Sequence, residues 1–184
     1  MGGRTVDPAV AEQLRTGIRD VPDFPSPGIV FKDITPLLAA PAVFRAAVDA
    51  LAAPYLAGGV DLVAGIEARG FVLGAPVALA LDAGFVPVRK KGKLPGDVVA
   101  ASYDLEYGSA TIEVTSDAFP AGARVLIVDD VLATGGTAAA AIELVRRCAA
   151  EVVDLAVLIE LSFLPGRGRI AEAGIPTPHA VLTL

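Results

Sequence analysis

Residues Arg124-Val-Leu-Ile-Val-Asp-Asp-Val-Leu-Ala-Thr-Gly-Gly-Thr137 confine this chain to a narrow set of folds. Val125 to Val128 is an unbroken apolar run rich in β-branched residues, the pattern of a strand covered on both faces in a parallel sheet. Two acids, Asp129 and Asp130, end the run. Thr134-Gly135-Gly136-Thr137 follows, then an alanine-rich segment with helical spacing. Strand, acidic corner, small-residue loop and helix, in that order, describe an open α/β sheet with its ligand site beyond the carboxyl ends of the strands. The N–H groups and dipole of a helix N-terminus attract anions, and glycines let backbone curl around a phosphate. Two carboxylates beside a phosphate make sense where the ligand also offers hydroxyls or carries a divalent cation, and a sugar phosphate does both. Taken separately, the acids read as solvated strand-end residues and the glycines as a turn. Their combination between a buried strand and a helix favours a site.

A chain of 184 residues suits one domain, 1–184. With 54% hydrophobic and only 5% aromatic residues, its core is built from Ala, Val, Leu and Ile. The formal charge of −6 argues against a general nucleic-acid surface or an anionic-membrane surface. Cys148 is the only cysteine, which excludes an intrachain disulfide and leaves a small core residue of the alanine-rich helix. The N-terminal residues lack the apolar stretch of a signal peptide, so the expected location is the cytoplasm. Gly70 to Val88 carries a single charge, Asp82, over nineteen residues. Asp82-Ala-Gly84 is a helix stop and Phe85-Val-Pro-Val88 a strand, so a crossover helix and a buried strand fit better than a membrane span.

Asp7-Pro8 predicts a helix N-terminus, with Val10, Leu14 and Ile18 as its apolar stripe. The Pro- and Gly-rich segment from Asp23 to Leu38 reads as an ordered, irregular loop. A helix from Pro41 to about Ala57 and a strand from Asp61 to Ile66 come next, and Glu67-Ala-Arg-Gly70 stands at the carboxyl end of that strand. An arginine at such a corner can grip a diphosphate with a fork of donors, although the tetrapeptide alone fits a capped corner with an exposed Arg69 equally well. Arg89-Lys-Lys-Gly-Lys93 places four cations in five residues. Such a run is commonly a solvated face, but in an acidic chain it is also the local charge that capture of a polyphosphate needs. Leu94 to Gly108 has few regular signals and reads as a mobile lid, followed by a hairpin strand at Ala110 to Val114. Val152 to Glu160 is another buried strand, His179 reads as structural, and no residues have metal-ligand spacing.

The stretch 124–137 resembles the phosphoribosyl-pyrophosphate (PRPP) binding motif of type I phosphoribosyltransferases. Phe24-Pro-Ser-Pro-Gly-Ile-Val-Phe-Lys-Asp-Ile-Thr-Pro-Leu-Leu38 and Tyr103-Asp-Leu-Glu-Tyr-Gly108 are similar to segments of the adenine phosphoribosyltransferases. The resemblance implies the type I phosphoribosyltransferase fold, an α/β class with a twisted, mainly parallel sheet flanked by helices. A small N-terminal hood (about 23–38) and a flexible lid (about 92–108) would complete it. It implies that adenine and PRPP give AMP and pyrophosphate in purine salvage, with Mg²⁺ held mainly by PRPP and water rather than by a protein cage. Asp129 and Asp130 would meet the ribose, and Ala133, Thr134, Gly135, Gly136 and Thr137 the 5′-phosphate. Glu67, Ala68, Arg69, Arg89 and Lys93 would face the pyrophosphate. Val30, Phe31, Lys32 and Leu161 would enclose adenine. Glu106 and Arg69 would be catalytic, with Tyr107 on the lid. Gly166-Arg-Gly-Arg169 would be a structural turn, and a homodimer is expected. Two other readings are a transferase for hypoxanthine, guanine or xanthine, and a non-catalytic sensor of PRPP or nucleotides.

Overall fold

The computed structural model describes residues 6–104 and 109–184. Its centre is a seven-stranded sheet made of β3 (Leu62–Ile66), β4 (Gly84–Lys90), β5 (Val98–Asp104), β6 (Ser109–Thr115), β7 (Arg124–Leu132), β8 (Glu151–Glu160) and β9 (His179–Thr183). The order across the sheet is β5-β6-β4-β3-β7-β8-β9. The pairs among β4, β3, β7, β8 and β9 are parallel, while β6 runs antiparallel to both β4 and β5. The sheet is therefore mainly parallel with an antiparallel hairpin at one edge.

The apolar run of β7 explains the layering. Side chains alternate faces along a strand, and here Val125 and Ile127 enter one hydrophobic cluster while Leu126 and Val128 enter another. The first cluster takes Ala138, Ala141 and Ile142 from helix α5 (Gly136–Arg147) and Ile170 from α6 (Gly166–Glu172). The second takes Leu14 of α1 (Pro8–Thr16), Leu37 of α2 (Thr35–Ala39), Leu51 of α3 (Pro41–Ala52) and Leu73 of α4 (Arg69–Ala80). Helices on both faces oblige the strand between them to be apolar where they cover it, from Val125 to Val128.

Local signals set the helix boundaries. The Asp7 carboxylate caps α1 by accepting from the Ala9 N–H at 2.8 Å, and Leu14 is fully buried. Helix α3 ends at Ala52 and a 3₁₀ turn carries the chain to Tyr55, a little short of the expected end. The segment considered for a membrane span divides into α4 and β4, with Asp82 in the left-handed region at φ 54°; no helix among the described residues is long and apolar enough to cross a membrane. Cys148 is only partly buried, at the end of α5 against the first cluster. His179 is buried in β9 with Nε2 3.0 Å from the Ala50 carbonyl oxygen, and the neighbouring Tyr55 hydroxyl donates to Asp154 at 2.7 Å.

Three expectations need correcting. The segment from Asp23 to Leu38 is not wholly irregular, because β2 (Val30–Asp33) pairs antiparallel with β1 (Arg19–Pro22) and α2 follows at once. The ribbon's outer residues are charged and its loop, 23–29, holds Pro25, Pro27 and Gly28, which hides the short strands from a periodicity argument. The expected lid contains β5, a seven-residue strand in register with β6 from Val98↔Thr115 to Asp104↔Ser109. Gly166 to Arg169, expected as a structural turn, is the first turn of helix α6.

The ribbon is fastened by Asp33, whose carboxylate binds Thr35 and Arg19, with the Thr35 N–H at 2.9 Å and the Arg19 guanidinium at 2.5 Å. These hydrogen bonds, those from Thr35 first, lower its pKa to about 2. A lowered carboxyl pKa stabilises the fold above its unfolded value, and that contribution is lost as pH falls through the folded value. Titration of the Asp33 carboxyl carbon by NMR is expected to show a midpoint near 2, and Arg19→Ala should move it upward.

Candidate active site

The strand pairing creates the site. β3 accompanies β7 only as far as Gly65↔Val128, whereas β8 stays in register with β7 through Leu132↔Glu160. From Asp129 onward β7 has therefore lost one neighbour, and the gap is filled by the turn from β3 into α4. The acids do not end the strand, as the sequence suggested; they are the sixth and seventh of its nine residues, on the stretch that β3 no longer accompanies. The resulting cavity of about 440 Å³ is lined by Ile66 to Arg69, Lys90, Tyr103 and every residue from Asp129 to Ala138.

Gly70 permits this approach. A Cβ there would lie 2.8 Å from the Val128 carbonyl oxygen and 3.0 Å from Asp129 Oδ1, so any side chain would push the start of α4 away from β7. The Glu67–Ala68 peptide is cis, and Ala68 precedes the first residue of α4, Arg69. Arg69 Nε lies 2.6 Å from Asp130 Oδ2, with the arginine side chain 40% exposed and the aspartate 6%. The same guanidinium stands over the Phe31 ring, 4.8 Å from its centre, and Phe24 packs edge-on against Phe31 at 5.2 Å. One arginine thus joins the acid corner to the N-terminal ribbon.

Among the described residues Asp129 forms no such ion pair. Its Oδ1 accepts from the Asp130 N–H at 2.9 Å. Burial raises its pKa well above the usual carboxylate value, the Asp130 charge adds to the rise, and Arg69 opposes it. Glu67 goes the other way: the Lys90 N–H at 2.9 Å and Arg89 Nε at 3.2 Å hold its carboxyl below the ordinary value. After the acids, Gly135 takes φ 79° and ends the loop, and α5 begins at Gly136 with its N-terminus at the cavity. Ala133, Thr134, Gly135, Gly136 and Thr137 consequently ring one end of the cavity, the geometry that suits a phosphate.

The cavity collects Glu67, Ala68, Arg69, Asp129, Asp130 and the 133–137 loop. Arg89 and Lys93 are not among its lining residues. Arg89 pairs with Glu67, donates to the Lys93 carbonyl at 3.3 Å and lies 6.0 Å from the Phe71 ring centre, while a Glu113 carboxylate oxygen accepts from Gly92 N–H and fixes the turn. Lys90 lines the cavity instead. The basic run marked the region, but strand alternation through the turn decides which cation faces inward. Val30 is half-exposed, Lys32 Nζ is bound to Asp20 at 2.7 Å, and Leu161 donates its N–H to the Leu132 carbonyl while packing partly against the second cluster. Glu106 and Tyr107 lie outside the described residues. Tyr103 lines the cavity although the sequence argument used it only as part of a motif.

The phosphoribosyl transferase domain profile matches residues 33–169. The chain therefore belongs to the phosphoribosyltransferase family. An adenine phosphoribosyltransferase of Thermobifida fusca is 63% identical over 155 residues, 84% of this chain and 88% of that protein. The crystal structure of adenine phosphoribosyltransferase from Rhodothermus marinus matches with a TM-score of 0.91 and 56% identity, over 97% of this chain and 100% of that one. The Trypanosoma brucei adenine phosphoribosyl transferase, solved in complex with AMP, pyrophosphate and ribose-5-phosphate, matches with a TM-score of 0.85 and 28% identity, over 97% and 82%.

A raised carboxyl pKa means that the unfolded chain releases this proton more readily, so stability is complete below the ordinary carboxylate value and declines as pH rises through the folded one. Asp129→Asn, which keeps the oxygen that accepts from Asp130, should therefore raise Tm at pH 7–8 and not below pH 4, by roughly 2–4 °C for each kcal/mol relieved. The same variant should lose PRPP binding in calorimetry. Unchanged Tm across this range, or retained binding, would refute the assignment.

Proposed function

We infer that the protein transfers the 5-phosphoribosyl group of PRPP to adenine, releasing pyrophosphate and giving AMP, as an enzyme of purine salvage. The observation that carries this reading is the convergence in one cavity of a phosphate loop, two acids and an arginine that also reaches the ring at Phe31. Adenine phosphoribosyltransferases as close relatives, and the AMP, pyrophosphate and ribose-5-phosphate in the T. brucei structure, support the same substrates and products.

The chain's groups divide the work. The 133–137 loop and the α5 N-terminus take the 5′-phosphate and fix the ribose end. Asp129 and Asp130 accept from the ribose hydroxyls. As the bond from C1′ to the pyrophosphate oxygen breaks and the purine nitrogen bonds to C1′, Arg69 offers charge to the departing oxygens from the Glu67–Arg69 turn. Lys90 is placed to share that role, with Arg89 and Lys93 bordering the pyrophosphate side. Phe31 supplies the ring for the purine, Val30 and Lys32 the backbone beside it, and Leu161 the opposite face. Glu106 manages the purine proton and Tyr107 covers the site. Residues 23–38 serve as hood and 92–108 as lid.

Among the described residues no group of three or more His, Cys, Asp or Glu is placed to hold a metal. The hard oxygens of Asp129 and Asp130 suit a magnesium ion carried chiefly by PRPP oxygens and water. When bound, Mg²⁺ would offset the charge of the leaving pyrophosphate. The enzyme is assigned to the cytoplasm and to a homodimer. Helix α4 supports the dimer, since Val72 is 43% and Leu79 83% exposed on a helix whose other face is core. Leu79→Lys should halve the mass seen by light scattering, and a monomeric wild type would refute the pairing.

Pyrophosphate release should be observed with PRPP and adenine but not with hypoxanthine, guanine or xanthine. Glu106→Gln should lower kcat about 10²–10⁴-fold, the range for general acid–base catalysis, while AMP still binds. Release with another purine in preference to adenine would shift the acceptor, and no release with any would favour a sensor.

A further inference from the structure

Gly166 and Gly135 meet backbone to backbone. A Cβ on Gly166 would stand 2.2 Å from the Ala133 carbonyl oxygen and 3.1 Å from Leu132 Cδ1, and one on Gly135 would stand 2.9 Å from the Gly166 carbonyl oxygen. The start of α6 is therefore seated directly on the loop that receives the 5′-phosphate. The adjoining residue, Arg167, is held by a two-point contact with Glu160: Nε donates to Oε1 at 2.7 Å, and the terminal Nη2 reaches Oε2. Glu160 is buried at the last position of β8, opposite Leu132 of β7 and Thr183 of β9, so its carboxylate is anchored in the sheet itself. Arg167 is the more exposed partner, with 45% of its side chain accessible.

We propose that Glu160 and Arg167 are positioning residues for PRPP, which fix the 133–137 loop by holding Gly166 against Ala133 and Gly135. The proposal rests on the transferase reading above. Neither side chain lines the cavity, and each is engaged by the other. Their effect is carried by contact between backbones: the guanidinium fork sets the place and angle of the first turn of α6, and that turn limits how far the phosphate loop can retreat. A loop gripping a phosphate with N–H groups is sensitive to small displacements, since misplacement by about 1 Å can cost about 10²-fold in rate. Lysine offers a single charged point in place of the fork and restores the attraction without the orientation.

The reading of the reaction is checked first on wild-type protein with adenine and PRPP; absence of turnover there counts against the function and not against the pair. With turnover established, Arg167→Met is expected to raise KM for PRPP by about tenfold, with KM for adenine and kcat changed less than about twofold. Arg167→Lys should recover part of the loss. Gly166→Ala approaches the same contact from the other side and should produce the same PRPP-selective rise, which keeps the test decisive if Arg167→Met does not fold. Calorimetry with PRPP should report the same weakening as the kinetics. A lower Tm with unchanged KM for PRPP, or equal losses for both substrates, would reduce the pair to a structural brace and overturn the proposal.

Discussion

Asp130 is a buried carboxylate, and the molecule holds it through Arg69. Removing one partner from such a pair leaves a charge stranded in the interior, at a cost of about 3–5 kcal/mol for fully buried cases. The exposed half of Arg69 lessens that figure here, but the direction stands. What matters more is the arginine's shape. Its Nε engages Asp130, its face covers Phe31, and its rigid plane still borders the cavity. The acid corner, the turn after β3 and the N-terminal ribbon are thereby referred to a single side chain.

The sheet makes that arrangement possible by letting two parallel strands end at different heights. β3 stops and turns into α4 while β7 runs on beside β8, so the last residues of β7 are supported on one side and open on the other. Gly70 allows the departing helix to stay close. The opening is lined with one ion-paired acid and one acid whose ionisation burial opposes. That pairing is a poor choice for stability alone. It is a good one for a ligand that brings hydroxyl donors and a cation to the same place, because binding then relieves what folding left unsatisfied.

A second set of close approaches governs the 133–137 loop. Gly135 turns the chain into α5, and Gly166 fills the space where a side chain on either residue would collide. The helix behind the loop is itself tied to the sheet through Glu160 and Arg167. The loop accordingly sits between two helices anchored to neighbouring strands, which is how a run of small residues without bulky packing can keep a defined shape.

The sequence by itself determined the elements whose signals are local: the buried strand at Val125–Val128, the acids after it, the small-residue loop, and the helix begun by Asp7-Pro8. Periodicity and capping act over a few residues, so they can be read without a partner. The same method lost the β1–β2 ribbon, strand β5 and helix α6: the ribbon strands are short and polar, β5 lacks an alternating pattern and is defined by its pairing with β6, and α6 opens on two glycines. It marked the basic run yet missed Lys90, since facing depends on the register of β4 and the turn held by Glu113. Only the tertiary structure decided that Arg69 should meet both Asp130 and Phe31, and that Gly166 should rest on Ala133. These partners are distant in the chain. What joins the first set is the difference in length between β3 and β7, and what joins the second is the return of the chain after β8 onto the end of β7, properties of the assembled sheet that no single segment encodes.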